Sequence, residues 1–349
     1  MSTRLTGADA LSAHQPRSAA HRYSWLAGYW VVVGLFTVAA AIRSATIHVG
    51  FRDPGGQFFT RRLAASLLVF GLLALCDAVW RSRRSGSGVR EVPEVLRTRW
   101  TGGRLAAVAS GLAGYDAVYL CYHNMKSWDA FNPPRDALLA RIDSWLFLGH
   151  SPAVLLHDLL GQHVADYALT AVYESFSTWV PLSVVAVLAF ADHLRDAFVF
   201  VSSAAWVWIL GIVSYYLIPT IGPFATAPRH FAGLPHTVVT STQAQFVGQR
   251  LYLLKHPHDG DAFSQLAAFG SLHVGFTCMT MLVLRHFGFR WAGRAMTVYL
   301  GAVMLATVYL GWHFAVDDIA GLALAFAAVG LGRLTVEPIA LDGRRPVSR

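Results

Sequence analysis

Charge and cysteine are both scarce in this sequence. Only 14% of the 349 residues are charged and 55% are hydrophobic, whereas soluble proteins usually carry about 25% charged residues. The mean hydropathy is +0.45 and long apolar runs recur along the chain, so the sequence indicates a polytopic membrane protein. The cysteines form no CxxC pair, which argues against a disulfide framework or a cysteine-based zinc site: Cys76, Cys121 and Cys278.

Lysine is nearly absent, and arginine carries almost all of the positive charge. Lys126 and Lys255 are the only lysines, yet the net charge is +8 and the pI is about 9.7. No basic-aromatic patch accompanies this charge, so we expect no nucleic-acid partner. Basic loops that orient a membrane protein explain the charge better. Arginine in place of lysine, with a bias toward Ala, Gly and Val, fits a high-GC genome and favours a bacterial plasma membrane.

Eight apolar runs predict about eight transmembrane helices, so we expect an all-α, polytopic integral membrane bundle. The runs cover residues 25–42, 63–80, 105–122, 167–191, 197–218, 269–285, 295–312 and 313–334. Residues 124–163 are too polar to cross a bilayer, but their apolar spacing predicts short amphipathic helices at the outer interface, broken at Pro133–Pro134 and at 149–152. Residues 219–268 are expected to form a long loop.

The distribution of arginine predicts the orientation in the membrane. Seven arginines lie between the second and third runs, and the positive-inside rule assigns such a segment to the cytoplasm: Arg81, Arg83, Arg84, Arg90, Arg97, Arg99 and Arg104. With eight spans, this choice also places a disordered N-terminus (1–24) and the tail (335–349) in the cytoplasm. The moderately basic loop 43–62 mildly opposes it.

Two histidines and a carboxylate stand at the outer ends of predicted spans. His313 and Asp317 are four residues apart, a spacing that would place both on one face of a helix. His273 opens the sixth span on the same side of the membrane. Ionisable residues in membrane spans are costly and are usually functional, although a buried pair that only satisfies its own hydrogen bonds is the simpler alternative for His313 and Asp317.

This set of residues suits phosphoryl transfer through a phosphohistidine. One imidazole attacks phosphorus while a carboxylate on its other nitrogen fixes the tautomer. The second imidazole protonates the leaving oxygen and then activates the attacking water or alcohol. This scheme requires no metal and no cofactor.

The same residues resemble known motifs. The type 2 phosphatidic acid phosphatase superfamily has Pro-Ser-Gly-His and His-x-x-x-Asp, and its inositol phosphorylceramide synthase branch has Pro-Ser-Leu-His, Ala-Thr-x-Tyr-Leu and Pro-Thr-x-x-Pro. This chain has Gly270-Ser271-Leu272-His273, Ala306-Thr307-Val308-Tyr309-Leu310 ahead of His313 and Asp317, and Pro219-Thr220-Ile221-Gly222-Pro223. The resemblance covers about 166–334 and implies a six-helix phosphatase-like core.

The resemblance implies a role for each matched residue. His313 is the expected nucleophile, Asp317 its orienting partner, His273 the general acid/base and Ser271 a phosphate contact. Three departures are visible: the first motif, Lys-x6-Arg-Pro, is absent, Thr307 stands where the third motif has arginine, and Gly270 replaces a proline. Thr307 and a loop cation are therefore the other expected phosphate contacts; Arg250 is favoured over Arg229, Lys255 and Lys126.

Together these observations predict an enzyme acting on lipid phosphates or phospholipids at the extracytoplasmic face. Residues 25–104 would form two N-terminal spans with the basic loop, and 105–334 the catalytic core. The branch resemblance implies transfer of a phosphoinositol-type headgroup to a lipid-alcohol acceptor. The alternative is a phosphatase for phosphatidate or polyprenyl (di)phosphate, and the rival from another class is a lipid transporter or an inactive membrane scaffold.

Overall fold

The computed structural model describes residues 23–86 and 88–337, and within these ranges it contains thirteen α-helices and no strand. They are α1 (Leu26–Ile47), α2 (Thr60–Arg84), α3 (Val92–Arg99), α4 (Gly102–Trp128), α5 (Asp136–Leu146), α6 (Pro152–Leu160), α7 (Val164–Phe190), α8 (Leu194–Leu217), α9 (Pro223–Thr226), α10 (Val238–Lys255), α11 (Leu272–His286), α12 (Arg290–Tyr309) and α13 (Ala315–Val336). The expected disordered N-terminus and the tail fall almost wholly outside the described residues.

The predicted all-helical membrane bundle is confirmed. Seven helices of the described chain are long and apolar enough to cross a membrane: α1, α2, α4, α7, α8, α12 and α13. The sixth predicted span, 269–285, is shorter than expected. Its helix, α11, has only 15 residues because the chain before Leu272 is extended, whereas a full span needs about 20.

Helix α8 lies at the centre of the bundle. It packs against α4, α7, α11 and α13, and 78% of the residues in its most apolar stretch are buried inside the protein. Small residues allow the close crossings, as expected between membrane helices. Gly211 of α8 faces Leu272, and Gly332 of α13 faces Ser203, each too closely for an added methyl group.

Helices α11 and α13 begin at the same end of the bundle. The backbone N–H of Ser271, which caps α11, donates to the carbonyl of Asp317 in the first turn of α13 at 2.9 Å. Gly321 permits this approach, since a Cβ there would lie 2.4 Å from the Ser271 carbonyl oxygen. Helix α12 returns antiparallel to α11 after a short turn. This arrangement brings the two predicted histidine motifs together.

Residues 219–268 are more ordered than the predicted long loop. They contain α9 and the 18-residue helix α10, at whose start the Thr237 backbone N–H donates to the Thr240 hydroxyl at 2.9 Å. The Gln243 side chain donates to the Leu310 carbonyl at 2.8 Å and ties α10 to the end of α12. The sequence did not reveal α10 because its apolar residues form no continuous stripe. The amphipathic helices predicted within 124–163 are present as α5 and α6.

Two carboxylates of α5 anchor the neighbouring loops. Asp143 accepts hydrogen bonds from the backbone N–H groups of Ala315 and Val316 at 2.8 and 3.0 Å. Asp136 accepts from those of Ile221 and Gly222. Asp143 thereby satisfies free donors in the first turn of α13. The start of α13 is therefore fixed from outside the helix.

Candidate active site

His313 and Asp317 are in contact, but not through the predicted helical face. His313 lies in the turn before α13, and Asp317 lies in that helix's first turn. The Asp317 carboxylate is 3.3 Å from Nδ1 of His313 and accepts the Phe314 backbone N–H at 3.0 Å. The expectation of one shared helix face was therefore wrong in its geometry. The carboxylate caps the helix and orients the imidazole at the same time.

His273 lies in the first turn of α11, and aromatic rings hold its imidazole. Tyr173 stacks on it with ring centroids 4.1 Å apart, and Phe176 lies 4.0 Å away. Tyr173 also stacks in parallel on Trp312, the residue before His313. The centroids of the two imidazoles are 6.5 Å apart. Packing therefore fixes both rings relative to one another.

Both imidazoles line one cavity of about 280 Å³. Its wall combines aromatic residues with a few polar groups that come from α2, α4, α7, α8, α10 and the extended segment before α11. The charged and imidazole side chains on it are Arg62, His123, Lys126, Glu174, His273 and His313. An apolar cavity with a few convergent polar groups is typical of a small-molecule or lipid-headgroup site.

Burial keeps His313 neutral. It lowers the pKa of the His313 imidazole to about 3, with the positive charge of Lys126 acting in the same direction and a hydrogen bond with the Ala268 backbone opposing them. The side chain is only 6% exposed. A neutral imidazole keeps one ring nitrogen unprotonated at physiological pH, as a nucleophile requires.

The three predicted phosphate contacts do not line the cavity. Ser271 caps α11 through its side chain, which accepts the Val274 backbone N–H. Thr307 donates to the buried carboxylate of Asp318 at 3.0 Å. Arg250 lies on α10 in the field of Asp129 and Asp136, and burial lowers its pKa. The geometry thus gives Ser271 and Thr307 structural contacts, and Arg250 is not part of the cavity wall.

Gly270 explains one departure from the motif pattern. Its backbone φ is +76°, in the left-handed region that proline cannot adopt because its ring holds φ near −65°. An added Cβ would also lie 2.7 Å from the Ser214 hydroxyl oxygen. The chain therefore reaches Ser271 by a different backbone path from one that begins with proline.

Lys126, which the sequence placed behind Arg250 as a phosphate contact, lines the cavity together with Arg62 and His123, for which no role was predicted. Lys126 and His123 are on the last turns of α4, whose helix continues beyond the predicted span end at 122. Arg62 is on the first turn of α2, paired with Asp116 at 3.0 Å. Each is a basic residue at the predicted outer end of a span. That shared position is the signal that would have brought them together.

The fold and the site define a class: a polytopic helical membrane protein with a histidine pair and a carboxylate beside an aromatic cavity. A family model described as PAP2 superfamily matches residues 137–331, more than half of the chain, and the chain belongs to that superfamily. Membership supports a phosphatase- or phosphotransferase-type enzyme for lipid-type substrates. Searches of curated proteins and of solved structures each gave no match.

Proposed function

We propose that this protein transfers phosphoryl groups of membrane lipids through a phosphohistidine on His313. The observation that carries the proposal is the 6.5 Å separation of two imidazoles on one cavity wall. A phosphorus atom in near-attack contact with one ring (about 3–3.5 Å), whose leaving oxygen is hydrogen bonded to the other (about 2.6–3.2 Å), needs a separation of this order.

The proposed reaction has two steps. Nε2 of neutral His313 attacks phosphorus while Asp317 stabilises the charge that develops on the ring through Nδ1. The bond from phosphorus to the lipid oxygen breaks, and His273, which takes up a proton when the anionic phosphate binds beside it, gives that proton to the oxygen. His273 then takes a proton from water or an alcohol, whose oxygen attacks phosphorus and breaks the P–N bond. His313 and the proton on His273 are restored.

Lys126 is the proposed phosphate cation in place of the missing first motif. It lines the cavity, and its charge acts on both histidines. Among the described residues no carboxylate forms an ion pair with it. A fixed cation in a partly desolvated site stabilises charge on the non-bridging oxygens. The earlier choice of Arg250 for this role is replaced by Lys126 in this proposal.

The charge balance of the cavity favours a phosphodiester substrate. Asp116 compensates Arg62, and the carboxylate of Glu174 on the same wall balances the formal charge of Lys126, so these four groups carry a formal net charge of about zero. A wall without excess positive charge suits a diester monoanion better than a monoester dianion or a diphosphate. This observation supports phosphoinositol-type headgroup transfer to a lipid alcohol, as the branch resemblance implies, over hydrolysis of phosphatidate or polyprenyl (di)phosphate.

We further propose a bacterial plasma membrane, with both termini cytoplasmic and the histidines at the extracytoplasmic end. Arginine supports this orientation, since Arg81, Arg99 and Arg104 lie together at the opposite end of the bundle from His313. Labelling of single cysteines introduced at Arg90 and at His258, with a membrane-impermeant maleimide on intact cells, tests it. Only the cysteine at 258 should react.

The function is tested with purified protein in lipid micelles. Phosphatidate, polyprenyl diphosphate and phosphatidylinositol are offered, the last with ceramide and diacylglycerol acceptors, and both inorganic phosphate and new headgroup-bearing lipid are measured. Wild type is compared with His313→Ala and with the control His163→Ala, whose side chain is exposed. We expect a new phosphodiester lipid from wild type and His163→Ala only, and inhibition by vanadate.

Other results distinguish the alternatives. His313-dependent phosphate release without a new lipid would make the protein a phosphatase. Activity that survives in His313→Ala would contradict the phosphohistidine. If no substrate is turned over and lipids do not move between leaflets, the protein would be an inactive scaffold. Movement of lipids between leaflets without turnover would indicate a transporter.

A further inference from the structure

A third histidine, His123, lines the same cavity and takes no part in the proposed reaction. It lies on α4 and is 8% exposed. Neither ring nitrogen has a hydrogen-bond partner among the described residues, and both are buried. An unpaired polar group in such a place destabilises the folded protein. A buried imidazole without a partner therefore needs an explanation.

Comparison with His157 shows the usual condition of a buried histidine in this protein. His157 is 3% exposed, and its Nε2 donates to the Tyr309 carbonyl at 2.8 Å. It follows the usual rule that buried polar side chains are hydrogen bonded. His123 breaks the rule at the wall of the cavity that holds the histidine pair. An absent partner that enters this cavity is the simplest explanation.

Aromatic packing holds the His123 ring in one place. Phe58 stacks on it with centroids 4.1 Å apart and planes within 12°, and Tyr119 packs edge-on at 4.4 Å. Tyr122 closes a third side at 4.9 Å. These contacts fix the ring but use neither nitrogen. The donor and acceptor of the imidazole are thus held ready for a ligand without reorganisation.

The neighbouring charges decide which ligand fits. Lys126 and Arg62 line the same cavity wall as the buried His123, so a third positive charge is disfavoured there and a neutral imidazole fits the site. A neutral imidazole offers one donor and one acceptor, and so does a hydroxyl group. A phosphate offers acceptors only at neutral pH. The chemistry of the site therefore matches an alcohol better than a second anion.

We propose that His123 is the specificity residue for a hydroxyl-bearing headgroup, bonding a hydroxyl of the alcohol attached to the reacting phosphate. This inference rests on the proposed function, because it assumes that the phosphate lies between His273 and His313. Lys126, three residues further along α4, acts on all three histidines and bridges the hydroxyl subsite and the reacting phosphate. His123 precedes the family match at 137–331, so the match assigns nothing to it.

The test compares three monoanionic phosphodiesters that differ in hydroxyl groups: phosphatidylinositol, phosphatidylglycerol and phosphatidylethanol. Diacylglycerol release reports attack on phosphorus for all three. The variants are His123→Phe, which keeps the aromatic packing, and His123→Gln, which keeps a donor and an acceptor. We expect wild type to prefer the hydroxylated lipids by about 10- to 100-fold in kcat/KM, the ratio that one unpaired polar group produces.

In His123→Phe this ratio should fall to near 1, and His123→Gln should retain part of it. An equal loss on all three lipids, or a wild type without preference, would overturn the inference. Failure of the proposed function is distinguishable, because it appears as diacylglycerol release that persists in His313→Ala.

A binding measurement covers the case in which no diester is turned over. Inositol phosphate and ethyl phosphate are added to the full chain, and the shift of the unfolding temperature is measured. Greater stabilisation by inositol phosphate in wild type, lost in His123→Phe, supports the hydroxyl subsite. Equal shifts from both phosphates in wild type would contradict it.

Discussion

The two ends of the bundle differ in whether their buried basic side chains have hydrogen-bond or ion-pair partners. At the arginine end, Arg81 and Arg99 each lie 2.9 Å from the buried carboxylate of Asp77, and both also pair with Asp192. Arg99 and Arg104 donate to carbonyls at the end of α7 as well. At the histidine end, Lys126 has no ion pair and His123 no hydrogen bond among the described residues.

This difference separates structural charge from charge held for a ligand. A buried cation with a carboxylate partner contributes to the folded structure, and removal of one partner leaves the other unpaired. A buried cation without one is costly in the empty protein and is offset only when an anion binds. We therefore expect substitutions at the histidine end to change activity more than stability, and substitutions at the arginine end to do the reverse.

The largest effect is expected for His273→Gln, which removes the proposed acid. Activity on a lipid substrate should fall by about 10²- to 10⁴-fold, with little change in unfolding temperature. A nitrophenyl phosphodiester has a leaving group that needs no proton, so the variant should lose far less activity on it. Steady-state rates on both substrates provide the measurement. Equal losses would show that His273 is not the acid.

Replacement of Lys126 by methionine should lower kcat/KM by about 10²- to 10³-fold, because one stabilising group for the transferring phosphoryl is lost. The unfolding temperature should stay the same or rise, since an unpaired buried charge is removed. Lys255→Met is the matched control, as it replaces the only other lysine at an exposed position. A loss of stability without a loss of activity would place Lys126 with the structural charges.

Acidification should reduce attack by His313 very little. Burial lowers the pKa of this imidazole to about 3, so the neutral nucleophile persists well below pH 6.5. An unshifted imidazole would lose about 30-fold of its neutral form at pH 5. The pH dependence of kcat/KM for the nitrophenyl diester, whose phosphate does not titrate here, should therefore change less than about two-fold between pH 7 and 5. A fall in kcat/KM below about pH 6.5 would contradict this if it persisted in variants of every other histidine, because it would then arise from His313.

The smallest effect on activity is expected at the arginine end. Arg99→Met should leave turnover per folded molecule unchanged but lower the unfolding free energy. Loss of one partner from a buried ion pair costs about 3–5 kcal/mol, and the lower figure applies because Arg81 still faces Asp77. Arg97→Met, an exposed arginine of the same helix, should be neutral. Denaturant unfolding of both variants tests the contrast.

Local sequence chemistry predicted much of this arrangement. Apolar runs predicted the spans. Because successive spans cross the membrane in alternate directions, the sequence also predicted that His273 and His313 lie at the same end of the bundle. Asp77 and Asp116 are carboxylates within apolar runs, and each pairs with an arginine in the structure. Each of these conclusions depends on a residue and its close neighbours along the chain.

The sequence could not predict which distant segments of the chain come together at the cavity. Lys126, Arg62 and the histidine pair come from four separate elements, and no spacing along the chain records that they share a cavity. The position of His313 outside α13 was also missed, because a four-residue spacing fits a helix face and a helix cap equally well. The sequence also failed to predict helix α10. Its position depends on the contact of Gln243 with the end of α12 rather than on a stripe of its own apolar residues.

The short length of α11 has a consequence for how a lipid reaches the histidines. A 15-residue helix measures about 22 Å, and the hydrocarbon layer is about 30 Å thick. With its far end at the opposite boundary of that layer, the helix would place His273 several ångströms inside the hydrocarbon, below the plane of the lipid phosphates. The lipid phosphate must then move toward the bilayer centre, or the bilayer must become locally thinner, before the phosphate can contact His273. The thickness of the surrounding membrane thus becomes a determinant of which lipids react, alongside the chemistry of their headgroups.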